Sequence, residues 1–117
     1  MSGFLTTHVL DTARGCPAVG MRIDLFKIDG ETRALVRSLT TNADGRTDSQ
    51  ILPAAEFTTG TFARVFFAGD HFDAIGMELA EPKFFDPILL CIGMSDARHY
   101  HVPLLLSPFS FSTYCGC

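Results

Sequence analysis

Apolar and polar residues alternate with a period of two along most of this chain, and this pattern decides which fold class it can adopt. In the segment GMRIDLFKID, Met21, Ile23 and Leu25 alternate with charged residues, as they do in a half-buried strand. The turn dipeptide Asp29–Gly30 follows, and a second β-type run, RALVRSLTT, comes directly after it. Two such runs around a short turn predict a β-hairpin.

The same reading along the whole chain predicts an all-β sandwich of about seven to eight strands with turns roughly every 8 to 12 residues. The predicted strands are LTTHVLD, MRIDLFKID, RALVRSLTT, FARVFFAG, FFDPILLCIGM, RHYHVPLLL and FSFSTY. The segment GDHFDAIG predicts one short helix, with Asp70 as its N-cap and Gly76 at its end. Pro87 and Pro103 predict edges or bulges in the strands that contain them.

Composition narrows the classes of function. A length of 117 residues with 47% hydrophobic residues predicts a single domain, residues 1–117, with a core that needs no metal or disulfide. The net charge of -4 argues against nucleic acid or an anionic membrane as a partner. The four cysteines include no C-x-x-C pair, which excludes a zinc ribbon. The N-terminal sequence has no signal-peptide pattern, so we expect a cytoplasmic protein.

Two histidines stand out in RHYHVPLLL, because His99 and His101 point to the same face of a strand. The neighbouring strand FSFSTY presents serines and a tyrosine, so both strands could contribute to one polar surface. The H-x-H spacing also occurs in metal sites on strands, and a metal would require a third ligand. His8, Cys115 or Cys117 could supply that ligand, so a metal site is one alternative.

Three segments together resemble a known family. They are LTTHVLDTARGCPA near the start, TNADGRTD in the middle and HYHVPLLLSPFSFSTYCGC at the end. Long motifs with this spacing are similar to those of the transthyretin-related 5-hydroxyisourate hydrolases. The resemblance implies a transthyretin-like Greek-key sandwich of two four-stranded sheets, with one short helix after the fifth strand. It also implies no cofactor and a homotetramer, a dimer of dimers with the site at the dimer–dimer interface.

The resemblance implies hydrolysis of 5-hydroxyisourate to 2-oxo-4-hydroxy-4-carboxy-5-ureidoimidazoline in urate breakdown. The family's working histidines and arginine match His8, Arg46 and His101 of this chain. Opening a ring amide needs a base for water and an acid for the leaving nitrogen, and imidazoles suit both roles at neutral pH. A planar guanidinium suits binding of a urate-like anion. Which histidine is the base stays open, and the family's channel implies that His8, His101 and Tyr114 meet only where two subunits face each other.

The C-terminal tail is the segment that departs from the family pattern. The family ends in Tyr-Arg-Gly-Ser as a substrate-binding segment, and the matching residues here are Tyr114, Cys115, Gly116 and Cys117. Loss of the arginine would remove an interaction of roughly 1.5 to 3 kcal/mol with an anionic substrate. The changed tail favours one alternative function, a non-catalytic transthyretin-like protein that binds a small molecule.

Overall fold

Two four-stranded sheets and a two-stranded one account for most of the computed structural model, which describes residues 3–116. Within that range ten strands, one helix and one 3-10 turn are formed. In chain order they are β1 (Phe4–Thr6), β2 (Val9–Asp11), β3 (Cys16–Pro17), β4 (Arg22–Asp29), β5 (Thr32–Thr40), the 3-10 turn (Ala54–Glu56), β6 (Gly60–Phe67), α1 (Ala68–Ala74), β7 (Pro87–Met94), β8 (His99–His101), β9 (Leu104–Leu106) and β10 (Phe111–Thr113).

The first sheet has the order β5-β4-β6-β7 and is antiparallel throughout. Its β4–β5 hairpin closes with Asp29 opposite Thr32, which confirms the prediction from the turn dipeptide. Pro87 is the first residue of the edge strand β7. A proline has no N–H for the ladder, so a strand start on a sheet edge is a position where it fits, as predicted.

The structure divides two of the predicted strands between the two-stranded sheet β1-β8 and the second four-stranded sheet, which has the order β10-β9-β2-β3. LTTHVLD is divided into β1 and β2 at Thr7 and His8, and RHYHVPLLL is divided into β8 and β9 at Val102 and Pro103. The halves pair in parallel, β1 with β8 and β2 with β9, so the two interruptions lie side by side. There the Thr7 hydroxyl donates to the Val102 carbonyl at 2.8 Å. Division of these two strands, together with the short strand β3, raises the seven strands predicted from the sequence to ten within residues 3–116.

The remaining pairings complete the sandwich. β9 also pairs antiparallel with β10, as the short link between RHYHVPLLL and FSFSTY predicts. Apolar side chains from both sheets form two buried clusters. One cluster is Val9, Ala18, Met21, Ile23, Phe66, Ala68, Phe72, Ile88, Leu104 and Leu106, and the other is Leu5, Leu25, Ile51, Leu52, Phe62, Met94, Tyr100 and Val102. Burial of each larger side chain stabilises the fold by about 1.5–3 kcal/mol. The all-β sandwich with one short helix is confirmed.

The helix α1 starts earlier than the sequence predicts. Its N-cap position is Phe67, with no side-chain cap, so the prediction of Asp70 as N-cap is wrong. Instead, the Gly69 N–H donates to the backbone carbonyl of Asp86 at 3.0 Å, which satisfies one N-terminal donor of the helix. Gly76 follows the helix with a φ of 75°, as a terminating glycine should. No helix within residues 3–116 has the length and hydrophobicity to cross a membrane.

A buried contact between a carboxylate and an imidazole joins α1 to β2. The Asp11 carboxylate is fully buried and lies 3.0 Å from His71 Nε2, and the Arg14 Nε–H donates to it at 2.9 Å. Burial raises the pKa of Asp11, but hydrogen bonds from His71 and Arg14 outweigh that effect and leave the pKa below its ordinary value. His71 is thus a structural residue in this fold.

Candidate active site

The interruption between β1 and β2 turns His8 towards the loop that follows β5. The His8 Nε2–H donates to the carbonyl oxygen of Asp44 at 2.8 Å, because a carbonyl can only accept. In a neutral His8 the lone pair is therefore on Nδ1. The backbone holds the residue as well, since the Leu104 N–H donates to the His8 carbonyl at 2.9 Å.

The loop around residues 42–46 fixes both that carbonyl and Arg46. The Asn42 side-chain oxygen accepts the backbone N–H groups of Asp44 at 2.9 Å and of Arg46 at 3.2 Å. Gly45 has a φ of 76°, and a Cβ there would lie 2.4 Å from the Val9 carbonyl oxygen. The Val9 N–H in turn donates to the Gly45 carbonyl at 2.8 Å. A side chain at position 45 would force the loop away from β2, so glycine is required for this close approach.

A threonine hydroxyl joins the two histidines of β8. Thr6 Oγ1 lies 2.8 Å from His99 Nε2 and 2.9 Å from His101 Nδ1. The parallel register of β1 and β8 causes this contact, because it sets Phe4 beside His99 and Thr6 beside His101. The Phe4 ring stacks on the His99 ring with centroids 4.1 Å apart. His99 is exposed to solvent and His101 is half-buried.

An open cavity of about 500 Å³ brings together Arg46 and His101, two of the predicted site residues, whereas His8 is not among the residues that line it. Every lining residue carries a polar side chain, and together they supply a guanidinium, two imidazoles, a carboxylate and several hydroxyls. The lining residues are Thr6, Thr7, Arg46, Thr47, Asp48, Ser49, Gln50, His99 and His101. Arg46 is exposed at one side of this cavity and His101 is half-buried in it.

His101 has a pKa below the ordinary histidine value. Burial is the largest cause, and the nearby charge of Arg46 is the next; His99, His8 and the buried Arg64 act in the same direction. His8 and Arg46 are thus close enough to act electrostatically on His101 within one chain. The family resemblance implied that His8, His101 and Tyr114 meet only where two subunits face each other. Within one chain, His8 and Arg46 lower the pKa of His101, whereas neither His8 nor Tyr114 is among the residues that line the cavity.

Arg64 is a buried cation that the sequence analysis missed. Its side chain is fully buried, and its Nη1 donates to the Val102 carbonyl at 2.7 Å. The Nε and Nη2 hydrogens have no partner within residues 3–116, and burial lowers the pKa of Arg64 to about 10. A signal was available in the sequence, because Phe62, Arg64 and Phe66 alternate on one face of β6, and that face is buried.

The residues of the tail predicted to bind substrate lie in two places, beside His101 and in a separate groove. The Gly116 N–H donates to the His101 carbonyl at 2.6 Å, and the His101 N–H donates back to Gly116 at 3.1 Å. Tyr114 and Cys115 are exposed and line a separate groove of about 390 Å³, with Tyr100 and Val102 among its other lining residues. Cys117 lies outside the described residues.

The H-x-H pair, His99 and His101, is also a candidate for part of a metal site. Within the described part of the chain, no group of three His, Cys, Asp or Glu side chains is placed to hold a metal ion. Thr6 instead occupies the position between the two imidazoles.

Comparison with known proteins supports the resemblance over nearly the full length. The model of the HIUase/transthyretin family matches residues 5–116. A protein of Rhizobium meliloti (strain 1021) named 5-hydroxyisourate hydrolase 2 is 53% identical, over 98% of this chain and 97% of its own. The Klebsiella pneumoniae 5-hydroxyisourate hydrolase structure is 30% identical, with a TM-score of 0.81 over 98% of this chain and 99% of its own.

A second solved structure, of an (S)-allantoin synthase, is 45% identical with a TM-score of 0.92. It matches 99% of this chain, which spans only 44% of that longer protein. The matching motifs, fold and relatives lead to one conclusion: the chain belongs to the HIUase/transthyretin family.

Proposed function

We propose that this protein is a hydrolase that opens the ring amide of 5-hydroxyisourate in urate breakdown, with 2-oxo-4-hydroxy-4-carboxy-5-ureidoimidazoline as the product. The observation that carries the proposal is the polar cavity in which Arg46 and His101 lie together, with His8 within electrostatic range. The names of the relatives from Rhizobium meliloti and Klebsiella pneumoniae support the same substrate. The reaction uses water and no cofactor.

His101 is the proposed base that activates water. Its lowered pKa keeps the imidazole neutral at physiological pH, as a base requires. Its Nδ1 contacts Thr6, and its Nε2 has no hydrogen-bond partner within residues 3–116. With the Nδ1 hydrogen donated to Thr6, the Nε2 lone pair is available to a water molecule in the cavity.

Arg46 and His8 are proposed to act on the substrate. The Arg46 guanidinium offers paired donors to a planar oxyanion, which binds a urate-like ring and stabilises the charge that develops as water adds to the carbonyl. His8 keeps its Nε2–H bond to Asp44 whether or not Nδ1 is protonated. It can therefore donate a proton from Nδ1 to the leaving nitrogen without losing its position.

The tail provides a separate prediction. We expect C115R combined with C117S to raise kcat/KM by about 10- to 100-fold, since a cation near an anionic substrate contributes roughly 1.5–3 kcal/mol when it is hydrogen-bonded. C117S alone is the control for the added charge. Unchanged or lower kcat/KM in the double variant would show that the two cysteines are not replacements of a missing arginine and serine.

The proposed assembly is a homotetramer, a dimer of dimers with the site at the dimer–dimer interface. Exposed aromatic rings support self-association, since Phe84 and Phe109 are each 69% exposed and their ring centroids lie 6.2 Å apart. β7 and β10 are also edge strands with open backbone groups. Sedimentation velocity tests this assembly: a tetramer is expected, and a monomer at micromolar concentration would contradict it.

The cytoplasm is the proposed location. Cys16 and Cys91 are free thiols, a state that a reducing compartment maintains. Fractionation of the native cell with an antibody is the test, and recovery in a periplasmic or organelle fraction would contradict this proposal.

The activity test uses urate oxidase to generate 5-hydroxyisourate and follows its ultraviolet decay. We expect the protein to accelerate the decay far above the rate in buffer. Protein treated with heat until it unfolds is the matched control for unspecific effects. A decay rate equal to that in buffer, together with micromolar binding of thyroxine, would instead favour the non-catalytic binding protein.

A further inference from the structure

The Thr6 hydroxyl forms a continuous hydrogen-bonded connection between the two imidazoles of β8. Its oxygen lies 2.9 Å from Nδ1 of the half-buried His101 and 2.8 Å from Nε2 of the exposed His99. The parallel pairing of Phe4 with His99 and of Thr6 with His101 sets this geometry. Stacking against Phe4 holds the His99 ring in place at a centroid distance of 4.1 Å.

The bonding capacity of a hydroxyl fits a directed chain. It donates one hydrogen and accepts up to two, whereas a neutral imidazole has one donor nitrogen and one acceptor nitrogen. The His101 Nδ1–H can therefore donate to Thr6 Oγ1 while the Thr6 O–H donates to His99 Nε2. In this arrangement His101 keeps the free Nε2 that the proposed base requires.

Hydrolysis at this site creates a proton that must leave. A ring amide plus water gives a carboxylic acid, and such an acid is ionised at neutral pH, so each turnover releases one net proton. We propose that Thr6 and His99 form a relay that carries this proton from His101 to bulk water. The relay rests on the hydrolase function proposed above.

The transfer balances in atoms and charge. His101 Nε2 takes a proton from water as the hydroxide oxygen bonds to the ring carbonyl carbon. The His101 Nδ1 proton then moves to Thr6 Oγ1 while the Thr6 hydroxyl proton moves to His99 Nε2. His99 releases its Nδ1 proton to solvent, and Thr6 is neutral before and after the transfer. The C–N bond of the ring then breaks, and the leaving nitrogen takes the Nδ1 proton of His8, which solvent replaces. After the product leaves, His101 Nε2 gives its proton to water, while a proton enters His99 at Nδ1, the His99 Nε2 proton moves to Thr6 and the Thr6 proton moves to His101 Nδ1. This reset moves no net proton and restores the starting arrangement.

The charges around the cavity favour transfer in this direction. Arg46 and Arg64 are cations whose charges act on His101, and they disfavour an imidazolium there. His8 also acts on His101, and Asp48 is the carboxylate that lines the same cavity. The proton therefore moves from a half-buried imidazole that two arginine charges act on to an imidazole that is exposed to solvent.

Four variants of the full-length protein test the relay in the 5-hydroxyisourate assay. T6V removes the hydroxyl at nearly constant shape, and T6S restores it. H99Q keeps a polar group beside Thr6 but cannot carry a proton. Thr40→Val, at an exposed position of β5 in the other sheet, is the matched control for a threonine-to-valine change.

In dilute buffer we expect T6V and H99Q to lower kcat by roughly tenfold with little change in KM, a modest part of what general acid–base groups contribute. T6S should recover most of the rate lost in T6V. Added imidazole should restore kcat in H99Q, because a small proton carrier replaces the missing ring. A structural role for His99 would not respond to imidazole.

The outcomes separate the relay from the hydrolase function. If the wild type is active and T6V has the same kcat as Thr40→Val, the relay is overturned and the hydrolase function stands. The same conclusion follows if imidazole does not restore kcat in H99Q. A wild-type protein that does not accelerate the decay overturns both.

Discussion

The glycine between Asp44 and Arg46 offers a sharp test of how the fold positions the site. Gly45 has a φ of 76°, and a methyl group there would lie 2.4 Å from the Val9 carbonyl oxygen and 3.0 Å from Pro17 Cβ. We predict that Gly45→Ala lowers both stability and activity, because the loop that holds the Asp44 carbonyl and Arg46 must move away from β2.

The magnitude has three parts. The left-handed backbone costs an alanine about 1–2 kcal/mol. Non-bonded heavy atoms prefer separations near 3.5 Å, so relief of the contact with Val9 moves the loop by about 1 Å. That displacement weakens the bond from the Val9 N–H to the Gly45 carbonyl, worth about 1 kcal/mol. The total is about 2–3 kcal/mol of unfolding free energy, and a 1 Å displacement of catalytic groups lowers kcat/KM by about 100-fold.

Gly20→Ala is the matched control, because Gly20 has a φ of 75° and no atom lies within 4 Å of a Cβ there. This variant should lose only the backbone cost of about 1–2 kcal/mol and keep its kcat/KM. Urea unfolding at equal protein concentration measures the stability, and the ultraviolet decay of 5-hydroxyisourate measures the activity. Equal losses of stability in the two variants, with full activity in Gly45→Ala, would refute the reasoning.

Three other substitutions give expected outcomes. Arg46→Gln should lower kcat/KM by about 10- to 100-fold, as loss of a charge-assisted bond implies. It should also move the acid limb of the pH–rate profile to higher pH. In the wild type the lowered pKa of His101 preserves activity until the pH falls below the ordinary histidine value, and removal of the Arg46 cation raises that pKa. Asp11→Ala should destabilise the fold by about 3 kcal/mol at pH 7, since it leaves buried His71 unpaired. Because the folded-state pKa of Asp11 lies below its unfolded value of 3.8, the difference from wild type in urea unfolding should shrink as the pH falls through the folded value. Arg64→Met should leave the unfolding free energy unchanged or raise it by about 1 kcal/mol, because it removes a buried cation with two unpaired donor nitrogens; a loss above about 2 kcal/mol would show that the bonds of Nη1 dominate.

Much of the fold could be predicted because its signals are local. The alternation at Met21, Ile23 and Leu25 reflects one buried face, and the turn at Asp29–Gly30 sets the hairpin without help from distant residues. The sandwich and the family followed from such patterns and from long motifs.

The features that could not be predicted depend on contacts between distant segments. LTTHVLD reads as one strand, and its interruption at His8 arises from the bond to the Asp44 carbonyl and from the opposing interruption at Pro103. The helix start lacks a side-chain cap because a backbone carbonyl 17 residues beyond Gly69, that of Asp86, takes over the role. The Thr6 bridge needs the parallel register of β1 and β8, which no local pattern encodes.

The central claim is that His8 and His101 act together on one substrate. The most direct measurement is the rate of 5-hydroxyisourate decay with the wild type, His8→Asn, His101→Asn and the double variant. The account predicts that each single variant loses about 100-fold or more in kcat and that the double variant loses little beyond that, since groups acting in one step are not additive. A His101→Asn variant as fast as the wild type, or losses that multiply in the double variant, would contradict the account.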